Sequence, residues 1–320
     1  MHIFDAAQTA QALPYSRLVP AVAQAARELS RKEIQAPERQ VVTIDSASVL
    51  LSMPAIGRDI GVTKLITVHA DNAQHRLPAI QGEVVVFDTA TGRRLALLDG
   101  PTVTARRTAA VTLLGIDSLA PNRPASALII GTGTQAVAHA EALIDYFGMS
   151  QFWIAGREME KAEAFCAALR ERHPQVSARP LLVASLQNEH PETDILLALT
   201  TSKTPVIPAT IAAHTLAIGV GAFKPDMAEF PPALLHGRQV VVDDLEGARH
   251  EAGDLMQADI DWTQVKELST VTNGSLKGGA LVPVLKTVGQ AAWDLAAARV
   301  AIGARPAQPR SAERVAIKLL

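Results

Sequence analysis

The stretch SALIIGTGTQAVAH, Ser126 to His139, sets two glycines and an alanine in a Gly-x-Gly-x-x-Ala arrangement directly after a short apolar run. Gly131 permits a tight turn, Gly133 lets the backbone approach a pyrophosphate, and Ala136 keeps a following helix close to its strand. Free N–H groups at the helix start would hold the anion. Gly131, Thr132, Gly133, Thr134 and Gln135 are therefore the candidate dinucleotide-binding set. At the end of the next strand, WIAGREMEK puts Gly156 and Arg157 where an NAD-preferring site usually carries an acid for the ribose 2′-hydroxyl. Arg157 suits a 2′-phosphate, so NADP (NADPH) is the expected cofactor. NAD is the alternative, with Arg157 a solvated helix-start residue and Glu158 or Glu160 on the ribose.

A second stretch, GPTVTARRTAAVTLLG at 100–115, gathers Thr104, Arg106, Arg107 and Thr108 at the start of an Ala-rich helix. Such a start favours an anion, and a guanidinium can grip a carboxylate with two bonds. On chemistry alone, a surface pair of arginines is the simpler reading. No His/Asp/Glu spacing suggests a metal, and HAEALID has the wrong order for a helical zinc pair. The single cysteine, Cys166, excludes an intramolecular disulfide and reads as a packed, inert thiol in the helical pattern EKAEAFCAALRERH.

The elements that must position these residues fall into two groups. Residues 14–33 have the pattern of an amphipathic helix. After Pro37 the runs VVTIDSASVLLSM, IGVTKLITVH, AIQGEVVVFD and RRLALLD read as strands of a mostly antiparallel sheet, with a hairpin turn at DTATGR. From Ser126 the rhythm alternates: ALIIG, a helix over 134–147, FWIAG, a helix over 158–172, then RPLLVA, DILLALTT, TLAIGVGAF and VVVDD. That is the pattern of an α/β chain with a doubly wound parallel Rossmann sheet, accompanied by a second α+β domain. A further helix is expected near 284–302. With 320 residues, two medium domains are expected. The formal net charge of −2 offers no basic field for nucleic acid or for an acidic membrane surface. No signal core precedes the chain's first helix and no apolar stretch reaches the ~20 residues of a membrane span, so a cytoplasmic protein with a small-molecule partner is expected.

The segments PERQ at 38, SMP at 52, TKLITVHADN at 63, VVVFDTATGRRLALLDG at 84, TARRTAA at 104, IIGTGTQA at 129, DDLEGARHEAGDL at 243 and KTVGQAAWD at 286 occur in a characteristic order. In these the chain resembles the ornithine cyclodeaminase and mu-crystallin family along essentially its whole length, and within it the bacterial reductases of Δ1-pyrroline-2-carboxylate and Δ1-piperideine-2-carboxylate. The resemblance implies a homodimer, a substrate-binding and dimerisation domain from residues 1–112 and 300–320, and a Rossmann domain over 113–299. It implies that Arg39, Lys64 and Arg107 surround the carboxylate of a cyclic imine, and that Thr108, Lys286 and Gly289 lie near the nicotinamide. In isolation Arg39, Lys64 and Lys286 would read as surface cations.

Two departures from the family bear on the reaction. Cyclodeaminases carry a glutamate just before Met-Pro, where this chain has Leu51 and Ser52; they also use an aspartate near the position of Phe223. Phe223 would supply an apolar wall or a core aromatic, and Asp226 could rescue one acid if the alignment shifts. A site with no acid near enough to drive loss of ammonia is therefore expected. The implied activity is NADPH-dependent reduction of both imines to L-proline and L-pipecolate. Alternatives are alanine-dehydrogenase-like or cyclodeaminase activity, or NADPH-dependent ligand binding as in mu-crystallin. Lys64 is the first candidate proton donor, because burial beside two arginines would lower its pKa; His69 is the second.

Overall fold

The computed structural model describes residues 1–69 and 71–303, so most of the tail assigned above to the first domain, 304–320, lies outside the described residues. The first lobe contains β1 (His2–Phe4), α1 (Ala6–Ala12), α2 (Tyr15–Ser30), β2 (Gln40–Thr43), β3 (Ser48–Ile56), β4 (Ile60–His69), β5 (Ile80–Asp88) and β6 (Arg94–Asp99). Its sheet runs β1-β6-β5-β4-β3-β2, antiparallel except for the β1–β6 pair. A long helix, α3 (Gly100–Leu119), leads into the second lobe.

That lobe contains β7 (Ser126–Ile130), α4 (Thr134–Phe147), β8 (Gln151–Gly156), α5 (Met159–Arg172), β9 (Ser177–Leu182), β10 (Ile195–Ala198), β11 (Leu216–Gly219) and α6 (Pro232–Gly237). It continues with β12 (Val240–Val242), α7 (Leu245–Glu251), α8 (Gly253–Gln257), β13 (Lys266–Glu267), α9 (Leu268–Val271), β14 (Val284–Lys286) and α10 (Ala291–Ala301). Its eight strands are all parallel, in the order β13-β12-β14-β11-β10-β7-β8-β9. The fold is thus an α/β Rossmann sheet with a second mixed-sheet lobe. Alternate residues of β7 serve opposite faces: Ala127 and Ile129 join one apolar cluster, Leu128 and Ile130 another, as a sheet covered on both sides requires.

Three local expectations change. Residues 284–286, read as the start of a helix, form a buried strand between β11 and β12, because a run of three apolar-flanked residues is too short to show a period. The helix proper begins at Ala291 and packs on α2, α3, β3 and β4 of the first lobe. Third, α3 starts at Gly100, its first turn capped by Asp99, whose carboxylate accepts from Thr102 N at 2.8 Å. Arg106 and Arg107 therefore sit about two turns inside the helix, away from its free N–H groups. No described helix is long and apolar enough to cross a membrane.

Candidate active site

The glycine turn follows β7 where the strand order reverses: β8 and β9 lie on one side and β10 on the other. Such a switch point opens a crevice at the carboxyl ends of the strands. Gly131 has φ +122°, and a Cβ there would fall 2.6 Å from Leu199 O, so only glycine fits. Gly133 precedes α4, and a Cβ on it would meet nothing within 4 Å, which leaves the first turn of the helix open to an approaching group. Thr134 is exposed, Thr132 half-buried, and the Oε1 of Gln135 is buried without a partner. Together these residues fit a pyrophosphate at a helix start. Beyond β8, Arg157 is exposed, while Glu158 is held 2.9 Å from Lys161 Nζ, which keeps its carboxyl below the usual range.

A cleft of about 560 Å³ runs from this crevice to the inner face of the first sheet. Lys64, Ile66 and Val68 line it because alternate residues of β4 share a face. His69 has the opposite parity and is not among the lining residues, which removes it as a proton donor. Lys64 is 1% exposed, its Nζ 2.9 Å from Asp294 Oδ2 and 3.2 Å from Oδ1. Arg107 places Nε 3.2 Å from the same Oδ1, an ion pair whose angle makes no hydrogen bond. Burial pushes the Lys64 ammonium down to about 8, opposed by Asp294 and reinforced by Arg107 and Arg39. Arg106 turns away: it donates to Leu13 O at 2.8 Å and stacks over Tyr15.

Arg39 reaches the cleft from ahead of β2. It donates to Glu251 Oε2 at 2.6 Å, Val288 O at 3.0 Å and Gly289 O at 3.2 Å. Burial raises the Glu251 carboxyl, and Arg39 opposes that shift. Asp243 fixes the segment Arg39 touches, accepting from Val288 N at 2.9 Å, Gly289 N at 3.0 Å and Trp293 Nε1 at 3.3 Å. Gly289 has φ +84°, and its missing Cβ would stand 2.8 Å from Arg107 Nη1, so the bare backbone is the floor for that guanidinium.

The structure therefore brings Arg39, Lys64, Arg107, Thr108, Gln135, Gly289 and Phe223 to one cleft. Phe223 is 37% exposed, a wall residue and not part of the core. Leu51 also faces the cleft, and Asp226 is exposed and paired with Lys203 at 2.8 Å, so neither position supplies an acid. Three carboxylates at other positions nevertheless stand among the cations: Asp243, Glu251 and Asp294. They lie within segments quoted above, DDLEGARHE and KTVGQAAWD, yet nothing in their spacing showed which cation each would meet.

Lys286 is also corrected. It is fully buried and does not line the cleft; its Nζ lies 3.4 Å from Gly219 O and 4.0 Å from Asp254 Oδ2. Nearby Glu229, equally buried, accepts from Thr200 N and Gly221 N, both at 2.7 Å, and so ties together the loops after β10 and β11. Cys166 is the packed thiol expected, burial raising it to about 11.

A parallel sheet with a glycine turn at its switch point, joined by a cleft of cations to a mixed-sheet lobe, defines a two-lobed protein of dinucleotide-dependent type. The ornithine cyclodeaminase/mu-crystallin family profile matches residues 2–303, and the chain belongs to that family. It is 44% identical over 301 residues to the Δ1-pyrroline-2-carboxylate/Δ1-piperideine-2-carboxylate reductase of Azospirillum brasilense, covering 93% of this chain and 94% of the relative. Among solved structures it resembles the Thermococcus litoralis Δ1-pyrroline-2-carboxylate reductase in complex with NADH and L-proline. The TM-score is 0.84 and the identity 23%, covering 95% of this chain and 97% of the other. An archaeal alanine dehydrogenase dimer with bound NAD gives a TM-score of 0.83 at 24% identity, covering 95% of both chains.

Proposed function

We propose that this chain is an NADPH-dependent cyclic ketimine reductase that converts Δ1-pyrroline-2-carboxylate and Δ1-piperideine-2-carboxylate to L-proline and L-pipecolate. The observation that carries the reading is the meeting of Arg39, Lys64 and Arg107 in one cleft beside the glycine turn. The 44% identity to a reductase of these two imines supports it. Gly131 to Gln135 would hold the pyrophosphate, with Thr108 and Gly289 near the nicotinamide; exposed Arg157 would meet a 2′-phosphate. When bound, the nicotinamide supplies the hydride.

The rest is positioning. Arg107 and Arg39 fix the substrate carboxylate and so decide which face of the ring is presented. Leu51, Ile66, Val68 and Phe223 give the cleft a hydrocarbon side, which suits an unsubstituted ring. Lys64 delivers a proton to the ring nitrogen, so the C=N bond leaves as a secondary amine. A homodimer is part of the same reading: the outer face of the first sheet carries exposed Val42, Ile56 and Leu65.

The test is to follow nicotinamide absorbance with each imine and NADPH or NADH, then with pyruvate plus ammonia, then with ornithine. Faster turnover of the cyclic imines with NADPH is expected. Turnover confined to pyruvate with ammonia, or ammonia release from ornithine without net cofactor change, would overturn the assignment.

A further inference from the structure

Lys64 and Arg107 come from β4 and α3, yet both meet one carboxylate supplied by α10. Asp294 is 0% exposed and lies behind Lys64, outside the cleft lining, so substrate cannot touch it. Its Oδ1 accepts from Nζ at 3.2 Å and its Oδ2 stands 2.9 Å away as an ion-pair contact without hydrogen-bond geometry, so the carboxylate holds the ammonium from behind while Lys64 lines the cleft. The other residues facing Lys64 are Met53 and Val84, its uncharged cross-strand neighbours, and the cations Arg107 and Arg39, the latter already paired with Glu251. Among the described residues, Asp294 is thus the one negative group acting on Lys64.

We propose that Asp294 is a positioning residue for the reaction, holding the Lys64 ammonium on target as proton donor to the ring nitrogen. This rests on the reading of Lys64 given above. Without the carboxylate, burial and two neighbouring guanidinium groups would all oppose the charged form of Lys64. With it, the ammonium persists to about 8, charged at neutral pH yet close to releasing its proton. One carboxylate also offsets one of two adjacent cations.

The test is kcat/KM against pH for Δ1-piperideine-2-carboxylate with NADPH, in the wild type, Asp294→Asn and Asp294→Glu. The wild-type profile is expected to fall on the alkaline side as Lys64 loses its proton near 8. In Asp294→Asn that limb should move down by about one pH unit or more, a loss of about twofold near pH 7 that grows to roughly tenfold by pH 9, with KM for NADPH unchanged. Asp294→Glu should restore most of it. If Asp294 only anchors α10, the thermal midpoint falls while the limb stays in place, and the proposal is overturned. Should Asp294→Asn fail to fold, ¹³C NMR of the lysine ε-carbons in the wild type and Asp294→Glu decides the matter. A Lys64 resonance that titrates like a free lysine in both proteins rejects it. The same spectra test the coupling if the wild type reduces neither imine, the result that would sink the functional reading alone.

Discussion

Arg107 shows how little a charge count says about a site. Its guanidinium rests on the bare backbone of Gly289, is paired with Asp294, and shares the cleft with a lysine and a second arginine. What distinguishes it from Lys64 is the fork, which can meet both oxygens of a carboxylate at once. Arg107→Lys keeps the charge and leaves Asp294 paired, so the fold should survive. The variant is expected to lose about one charge-assisted hydrogen bond, ~1.5–3 kcal/mol, seen mainly as a higher KM for the imine. Steady-state kinetics with both imines checks this, and an unchanged KM would mean that the carboxylate binds elsewhere. Arg106, one position earlier, serves Leu13 and Tyr15 instead; adjacency in a helix separates neighbours by about a quarter turn.

At the scale of elements, the segment between β14 and α10 is the joint on which the cleft depends. Asp243 holds its backbone, Arg39 holds its carbonyls, and Gly289 turns it in a conformation that side chains rarely adopt. Gly289→Ala is expected to cost about 1–3 kcal/mol from the strained φ, and to displace the Arg107 guanidinium as well. The loss in kcat/KM should then exceed the change read from the denaturation midpoint; equal changes would show that the turn matters only for folding. Elements with a clear period were legible in the sequence: β4 and α4 run where IGVTKLITVH and residues 134–147 predict them. The strand Val284–Lys286 was not, since three residues carry no period. Nor were the carboxylates of the site. Arg39 and Glu251 are 212 positions apart and Lys64 and Asp294 are 230 apart, so each pairing is a product of the finished topology.

The whole molecule is closed by α10, a helix whose residues from Ala291 to Val300 are all buried and which packs against the lobe where the chain began. One apolar cluster runs through the first sheet, α2, α3, α10 and one face of the Rossmann sheet, so the lobes share a core. Arg299, near the end of α10, pairs with Glu28 at 2.6 Å and Asp59 at 2.7 Å, all three nearly buried. Removing the cation in Arg299→Met would leave two carboxylates uncompensated, and about 3–5 kcal/mol of stability should go with it, read from urea denaturation. The opposite side of the first sheet behaves differently. Leu65, at 45% exposure, and Val42, at 46%, stand on a face that no helix among the described residues covers. An apolar sheet face left open in a monomer invites a second copy. Leu65→Glu puts a charge at the centre of that face without touching Lys64, whose side chain points to the other side of β4. Sedimentation is expected to show a dimer for the wild type and monomers for the variant. A variant that remains dimeric would place the contact between copies on another surface.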